Sequence, residues 1–355
     1  MNDKTLQVGI IGFGYAGKTF HAPLVRTTPG LRIAAVSSSD AARVHAALGP
    51  GVAVTGDPRA LAVDPALDLV VVASPNATHY ELAALALGAG KHVVVDKPFT
   101  PTLQEAGHLA ALARDHGVLL SVFHNRRWDS STLTAQKMIA SGELGAIRHA
   151  AMHFDRFRPQ VQARWKEDAA AAGGTWMDLG PHLLDEALLY FGAPGAIQLD
   201  LAQLRPGTQA DDAFHARLRY AGGLRVDLHA SMLTALPRPR LALYGTRGSY
   251  VKQSLDPQEA NLKEGALPTG EDAAWGMDPE RGSAAVEREG ALEIIDVATE
   301  NGAYPAYYRQ VRDAILGRAP NPVPPGQAIM VMRLLEAGRL SDAQRREVEL
   351  DEVTA

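Results

Sequence analysis

Residues 8–17 read VGIIGFGYAG, a short apolar run that ends in three glycines spaced GxGxxG. The run predicts a buried strand, and the following KTFHAPLVRTT predicts a helix. In a strand–turn–helix context each glycine has a physical reason: a tight turn at Gly12, close approach of a pyrophosphate at Gly14, and helix–strand packing at Gly17. The stretch therefore predicts a dinucleotide-binding loop, and a plain tight turn is the alternative. The predicted cofactor contacts here are Gly12, Phe13, Gly14, Tyr15, Ala16 and Gly17.

Four more apolar runs follow within the first third of the chain, at residues 31–37, 67–74, 91–97 and 118–125. They are short, rich in Val and Ile, and apolar on both faces, which is typical of strands in a buried parallel sheet. Helical patterns that end in glycine separate them. The alternation predicts an α/β fold, with an N-terminal Rossmann domain, a doubly wound parallel sheet, over residues 1–124.

The pattern changes after residue 124, and residues 125–355 are predicted to form a second, α+β domain that binds substrate and mediates oligomerisation. Five stretches between residues 147 and 252 alternate apolar and polar residues. Such alternation predicts a large, open, predominantly antiparallel sheet. The polar run from Asp256 to Gly290 is expected to be a long loop or short hairpins. An amphipathic helix at about residues 325–345 could pack back on the first domain.

Composition excludes several function classes. The chain has 355 residues, no cysteine and a net charge of −5. Disulfides, thiolate catalysis and zinc–cysteine sites are therefore excluded. No block of like charge suggests nucleic acid or a membrane as partner, and no apolar run is long enough to span a bilayer. The histidines show no metal-ligand spacing, so no metal is expected. Because the N-terminus does not resemble a signal peptide, we expect a cytoplasmic protein.

The stretch AVSSSDAAR, Ala35 to Arg43, ends the second predicted strand without the acidic residue that binds the ribose of NAD in Rossmann domains. Hydroxyl groups and a guanidinium can bind a phosphate that a carboxylate would repel. We therefore predict that the 2′-phosphate of NADP binds Ser37, Ser38, Ser39 and Arg43. The alternative is a polar strand end with NAD or dual preference, in which Asp40 only caps the next helix.

Two further motifs follow predicted parallel strands, whose carboxyl ends form the ligand crevice of such sheets. ASPNATH offers an amide at Asn76, although Thr78 could be a helix cap and His79 a surface residue. VVVDKPF places Lys97 at a strand end, where an unpaired charge is costly, although a surface lysine is the alternative. The predicted cofactor contacts from these motifs are Ser74, Pro75, Asn76, His79, Lys97 and Pro98.

The stretch GGTWMDLGPHLLDEAL supplies Asp178, His182 and Asp185, whose offsets of four and seven place them on one helix face. Pro181 is expected in the first helical turn, where proline is tolerated. Asp178 could be the N-cap of that helix and His182 a packed core histidine.

Together these residues resemble the Gfo/Idh/MocA oxidoreductases. The likeness rests on GFGYAG, ASPNATHYELA, GKHVVVDKPF, HNRRWD, GGTWMDLGPHLLD and GQAIMVMRLLEAG, in that order, and covers essentially the whole chain. The family's usual Glu-Lys-Pro is here Asp96-Lys97-Pro98. Within the family, KTFHAP, VSSSD and HFDRFRPQV look like the branch that contains NADP-dependent scyllo-inositol dehydrogenases, which agrees with the triple serine.

The resemblance implies that Lys97, Asp178 and His182 catalyse hydride transfer between NADP and a secondary alcohol or ketone of a cyclic polyol or sugar, with scyllo-inositol as the best candidate. Substrate contacts are expected from Arg127, Asp155, Trp165 and His182, although one arginine of the pair Arg126–Arg127 could be a structural ion pair. Another sugar or a dihydrodiol is an alternative substrate, and a non-catalytic NAD(P)-binding regulator is an alternative function.

Oligomerisation is expected because a large sheet with one face free of helices exposes apolar surface that a partner would cover. The sequence therefore predicts a homodimer or homotetramer formed through the C-terminal sheet, and a monomer with a loop-covered sheet is the alternative.

Overall fold

The computed structural model describes residues 4–162, 173–269 and 274–354, and the chain divides into two compact units. The first unit comprises Met1–Asn125, Pro257–Trp275 and Ala303–Ile329. The second comprises Arg126–Asp256, Gly276–Gly302 and Met330–Ala355. Two segments from the second half of the chain, 257–275 and 303–329, thus belong to the first unit. None of the described helices is both long enough and apolar enough to cross a membrane.

The first unit contains a six-stranded parallel sheet in the order β3-β2-β1-β4-β5-β6. Its strands are β1 Leu6–Ile11, β2 Leu31–Ser37, β3 Ala53–Thr55, β4 Leu69–Val72, β5 His92–Val95 and β6 Leu120–Val122. The five apolar runs become five of these strands, so the predicted doubly wound sheet is confirmed. The order reverses between β1 and β4, and the carboxyl ends of strands at such a point form a ligand crevice.

The α-helices among the described residues are α1 Ala22–Arg26, α2 Ala41–Leu48, α3 Pro58–Ala62, α4 His79–Gly88, α5 Leu103–Asp115, α6 Ser130–Ser141, α7 Thr175–Phe191, α8 Gln258–Lys263, α9 Pro305–Ile315 and α10 Pro325–Gln344. A π-helical turn, Gly17–His21, precedes α1, where the sequence predicts an uninterrupted helix. Such turns are rare and recur at functional sites.

The second unit contains a nine-stranded sheet in the order β14-β13-β12-β11-β7-β10-β9-β8-β15. Its strands are β7 Ile147–His153, β8 Ala196–Ala202, β9 Ala213–Arg219, β10 Arg225–Ser231, β11 Leu241–Gly245, β12 Gly248–Lys252, β13 Gly282–Arg288, β14 Ala291–Val297 and β15 Val348–Glu349. Only the pairing of β7 with β10 is parallel. The predicted, mostly antiparallel sheet is confirmed.

The polar run from Asp256 to Gly290 agrees with its prediction as a long loop or short hairpins only in part, because it ends in a hairpin but begins with a helix. It contains the helix α8 and the strand β13, which pairs with both β12 and β14. Strand β13 was missed because its buried positions are Gly282, Ala284 and Val286, and only the last carries a large apolar side chain, so the alternation is weak in the sequence.

Candidate functional site

The glycine loop follows β1 at the carboxyl edge of the parallel sheet. Gly12 has a φ of +94°, and a Cβ there would lie 2.5 Å from the carbonyl oxygen of Ala73. A Cβ on Gly17 would lie 2.1 Å from the carbonyl oxygen of Gly12. At Gly14, in contrast, a Cβ would meet no described atom within 4 Å. Contacts within the folded chain therefore explain why positions 12 and 17 are glycine. At position 14 no such contact explains the glycine, and the space beside the loop is open.

Helix α8 provides a support for this loop that the sequence did not predict. The hydroxyl of Tyr15 donates to the carboxylate of Glu259 at 2.5 Å. The ammonium of Lys263 lies 5.6 Å from the centre of the Tyr15 ring and 3.0 Å from the Glu259 carboxylate. Because α8 follows β6 by more than a hundred residues, no local signal connects it to the glycine loop.

The serines at the end of β2 have different exposures. Ser37 is buried, Ser38 is half-buried, and Ser39 and Arg43 are exposed. Asp40 is the N-cap of α2, and its carboxylate accepts a hydrogen bond from the backbone of Arg43 at 2.9 Å. The capping role that the sequence allowed for Asp40 is thus confirmed. Ser39 and Arg43 offer the most accessible donors at this strand end.

The ASPNATH segment forms a short 3₁₀ turn after β4. Asn76 is buried, and its Oδ1 has no hydrogen-bond partner among the described residues. A buried amide oxygen without a partner is costly, which suggests that a ligand completes it. Thr78 occupies the N-cap position of α4 but makes no capping hydrogen bond with its side chain.

The alternative of a surface position for His79 is wrong, because this side chain is 2% exposed. Its Nδ1 lies 2.9 Å from the carbonyl oxygen of Pro98, and its Nε2 lies 2.9 Å from that of Ser74. Burial lowers the pKa of His79, although the nearby Asp96 carboxylate opposes the shift. The imidazole thus joins the carboxyl ends of β4 and β5, beside Lys97.

Lys97 directly follows Asp96 at the end of β5, and both are half-buried. Burial acts to raise the pKa of Asp96, but the imidazole of His21 and the ammonium of Lys97 outweigh it, so the pKa of this carboxyl is lowered. Asp96 is therefore an ionised partner beside the lysine at neutral pH.

In the second unit, Asp178, His182 and Asp185 share one face of α7, as their spacing predicts. Two expectations are wrong: Gly174, not Asp178, is the N-cap, and Pro181 lies inside the helix rather than in its first turn. The helix starts early because Asp211 binds its first amide groups. Asp211 accepts from the backbone N–H of Trp176 at 2.6 Å with its carboxylate and from that of Thr175 at 2.8 Å with its carbonyl.

His182 is 6% exposed and stacks against Phe154, with ring centres 6.1 Å apart. The guanidinium groups of Arg126, Arg156 and Arg240 also lie within 5.5 Å of the centre of the Phe154 ring. The apolar and cationic surroundings restrict the orientation of the imidazole. Asp178, one turn earlier on the helix, is half-buried.

Two of the predicted substrate contacts, Arg127 and Asp155, form ion pairs within the second unit. Arg127 forms a buried bidentate pair with Asp185, at 2.8 and 2.6 Å, which is the structural ion pair that the sequence left open. Asp155 accepts from His229 at 3.0 Å and from Arg238 at 2.9 Å. Their contacts to substrate stay predictions, and Trp165 lies outside the described residues.

One buried ion pair between α7 and the residue before β11 was missed by the sequence analysis. Glu186 and Arg240 are each at most 3% exposed and form an ion pair. Burial raises the pKa of Glu186 to about 7, although Arg240 acts in the opposite direction. The described residues contain no group of three His, Asp or Glu side chains that could hold a metal ion.

The structure thus brings the predicted cofactor residues of four segments to one edge of the parallel sheet, after β1, β2, β4 and β5. Of the remaining candidates within the described residues, Asp178 and His182 lie on α7, and Arg127 and Asp155 belong to the same second unit.

Comparisons with known proteins cover both units. Residues 6–124 match the family model described as "Oxidoreductase family, NAD-binding Rossmann fold", and residues 136–350 match "Oxidoreductase family, C-terminal alpha/beta domain", both of the Gfo/Idh/MocA type. The chain is 52% identical to the uncharacterized oxidoreductase YdgJ of Escherichia coli, over 95% of this chain and 96% of the relative. It is 36% identical to scyllo-inositol 2-dehydrogenase (NADP(+)) IolW of Bacillus subtilis, over 98% and 96%. The solved structure of YPO2259 from Yersinia pestis superposes with a TM-score of 0.93 at 51% identity, covering 100% of this chain and 99% of the other.

Proposed function

Because the chain belongs to the Gfo/Idh/MocA family of oxidoreductases and is an NAD(P)-dependent dehydrogenase, we propose that it uses NADP to oxidise or reduce a cyclic polyol or sugar. The best candidate pair is scyllo-inositol and its 2-keto form, because IolW, a relative that covers the whole fold, is named for that substrate and for NADP. The triple serine after β2 supports the same cofactor.

The first unit fits a dinucleotide on structural grounds. The open space at Gly14 lies beside the loop whose other two glycines are required by internal contacts. At the neighbouring strand end, the buried Oδ1 of Asn76 has no hydrogen-bond partner within the described part of the chain. Backbone N–H groups after Gly14 would bind the pyrophosphate, and Asn76 would bind nearer the nicotinamide. This combination at one sheet edge is the observation that carries the proposal.

The side chains near the end of β2 support the proposed preference for NADP. The carboxylate of Asp40, next in sequence to the triple serine, accepts a hydrogen bond from the backbone N–H of Arg43. Ser38, Ser39 and Arg43 remain as donors for a 2′-phosphate, and Ser37, being buried, would act mainly through its backbone. An aspartate at position 38 would repel that phosphate and bind a ribose hydroxyl instead. Ser38→Asp should therefore weaken NADP binding far more than NAD binding.

The reaction needs a base for the hydroxyl proton and a cation for the developing charge on oxygen. When bound, NADP supplies the nicotinamide carbon that exchanges hydride. We assign proton transfer to the imidazole of His182, because histidine is the side chain that most often serves as a general acid or base in enzymes. The ammonium of Lys97 would stabilise negative charge on the same oxygen, and Asp178 would orient the imidazole.

The test is turnover of a panel of inositols and aldoses with NADP and with NAD, in both directions, followed by the absorbance of the reduced nicotinamide. We expect NADP-dependent turnover of at least one cyclic polyol. Lys97→Ala and His182→Ala should each lower kcat by about 10²-fold or more with little change in NADP affinity. The exposed residues Lys137 and His116 provide matched alanine controls, which should retain wild-type turnover.

The outcomes separate the competing functions. Near-wild-type turnover of both catalytic variants would contradict the assigned roles. Tight NADP binding without turnover of any member of the panel would favour a non-catalytic NAD(P)-binding regulator. Turnover of aldoses but not inositols would indicate that the substrate is another sugar, oxidised or reduced in the same class of reaction.

We also propose that the protein forms a homodimer or homotetramer through the nine-stranded sheet. On the edge strand β14, Leu292 and Ile294 are 71% and 78% exposed and point to the same face, because they are two residues apart. Tyr244 of β11 adds a further exposed aromatic ring. Exposed apolar side chains of this kind favour burial against a partner.

A further inference from the structure

His21 is a buried histidine that the proposed reaction does not use. It closes the π-helical turn after the glycine loop and is 0% exposed. Its Nδ1 lies 2.6 Å from the hydroxyl of Tyr308 on α9, and its Nε2 lies 3.6 Å from Oδ1 of Asp96. Its ring packs on Phe123, with ring centres 4.4 Å apart. One side chain thus joins α9 to the end of β5.

The tautomer of His21 depends on the direction of its hydrogen bond with Tyr308, whose hydroxyl can donate to Nδ1 or accept from it. Burial, together with Tyr307 and Asp96, holds the pKa of Tyr308 well above its ordinary value, so its hydroxyl keeps a proton to donate. In a neutral imidazole only one nitrogen is protonated. If Nδ1 accepts from Tyr308, Nε2 carries the hydrogen and faces the carboxylate of Asp96. The opposite tautomer would direct a lone pair at that carboxylate, which is unfavourable.

Asp96 has charged or titratable neighbours on several elements. They are His21 of the π-helical turn, Lys97 of its own segment and His79 of α4, and Tyr308 of α9 contacts it through His21. The distance of 3.6 Å from His21 slightly exceeds that of a hydrogen bond, and such contacts commonly tighten when a ligand binds. The imidazole of His21 thus lies close to the Asp96 carboxylate, and the ammonium of Lys97 is near enough to help lower the pKa of that carboxyl.

We propose that His21 is a positioning residue for the reaction: fixed by Tyr308, its Nε2–H holds the Asp96 carboxylate as the ionic partner of Lys97. The carboxylate in turn keeps the ammonium of Lys97 charged and oriented. The inference rests on the proposed function, because Lys97 acts on substrate only if the chain is the dehydrogenase described above. It adds two residues, His21 and Tyr308, to the machinery.

Two substitutions of His21 separate this role from simple packing. In His21→Gln, the amide nitrogen occupies nearly the position of Nε2 and can donate to Asp96. In His21→Asn, the amide reaches only the position of Nδ1 and can contact Tyr308 but not Asp96. We expect His21→Gln to keep kcat within about threefold of wild type and His21→Asn to lose roughly tenfold or more, with similar KM values for NADP.

The pH profile provides a signature that lost packing would not produce. Asp96→Asn removes the negative charge beside Lys97, so the alkaline limb of kcat should move to lower pH by about one unit or more. His21→Asn should move the same limb in the same direction by less, and His21→Gln should leave it in place. Equal loss in the two His21 variants, or wild-type kcat in both, would overturn the proposal.

A second readout does not depend on turnover. In the cofactor-free protein labelled with ¹⁵N-histidine, the neutral His21 ring should be the Nε2–H tautomer, and Tyr308→Phe should change its Nδ1 signal. An Nδ1–H tautomer would overturn the proposal even if the His21 variants fail to fold. Absence of turnover in the wild type would refute the proposed function, whereas the tautomer reports the contact between His21 and Asp96 alone, so the two failures are distinguishable.

Discussion

Gly14→Ala should separate the cofactor-binding role of the glycine loop from its folding role. A Cβ at this position meets no described atom within 4 Å, and the φ of Gly14 lies outside the left-handed region. The free energy of unfolding should therefore change by less than about 1 kcal/mol. The added methyl group would occupy the space into which we place the pyrophosphate. It should remove one or two charge-assisted hydrogen bonds from the loop, each contributing about 1.5–3 kcal/mol.

Loss of one such hydrogen bond corresponds to a roughly 10- to 150-fold increase in the Kd for NADP. The matched control is Gly17→Ala, whose Cβ would lie 2.1 Å from a backbone oxygen that cannot easily move. That variant should lose several kcal/mol of stability, within the range known for overpacking. Thermal unfolding measures the change in stability of each variant, and calorimetric titration measures the change in its Kd for NADP.

Two results would refute this reasoning. Wild-type NADP affinity in Gly14→Ala would show that the pyrophosphate does not approach this glycine. A loss of stability equal to that of Gly17→Ala would show that the space beside Gly14 is not open in the folded protein.

The remaining predictions concern cofactor preference, pH dependence and assembly. Arg43→Ala should raise the Kd for NADP about tenfold and leave that for NAD within twofold, because one charged contact to the 2′-phosphate is lost; equal effects in the two titrations would contradict the assignment. Burial raises the pKa of Glu186 to about 7, so the folded chain binds this proton more tightly than the unfolded chain does. The free energy of unfolding should therefore fall by up to about 3 kcal/mol as the pH rises from about 4.5 through 7. The Tm of wild type relative to Glu186→Gln should therefore fall over this interval, and parallel Tm curves would show instead that Glu186 stays ionised beside Arg240. Ile294→Lys would place a charge in the proposed interface, so the protein should sediment as smaller species without a lower kcat. An unchanged mass would show that β14 does not form the interface.

The parallel sheet could be predicted because burial on both faces leaves a strong sequence signal. Val70, Val71, Val93 and Val94 are all fully buried, so the strands read as continuous apolar runs. Strand β3 shows the limit of that signal. Its three residues are exposed or half-buried, and no apolar run marks it.

The start of α7 could not be predicted because its cap lies elsewhere in the chain. Asp211 binds the amide groups of Thr175 and Trp176, more than thirty residues earlier in the sequence. Sequence rules search for a cap next to the helix and therefore favour Asp178. The remote cap starts the helix before Asp178 and moves Pro181 into its interior. The predicted face of Asp178, His182 and Asp185 survives because helical spacing does not depend on where the helix starts.

The contact between His21 and Asp96 follows from sheet order rather than from any local pattern. The carboxyl ends of β1, β4 and β5 lie at one edge, since these strands are parallel and β4 pairs with both neighbours. Residues shortly after β1 and after β5 can therefore meet, although 75 positions separate His21 from Asp96. In the sequence, His21 lies within an apparently ordinary helix. The π-helical turn ends at His21, which is buried beside Tyr308 of α9. Strand order therefore suggests that residues following β1 or β4 could lie near Asp96. It does not say which of them does, because the position of His21 depends on the π-helical turn, which the sequence did not predict.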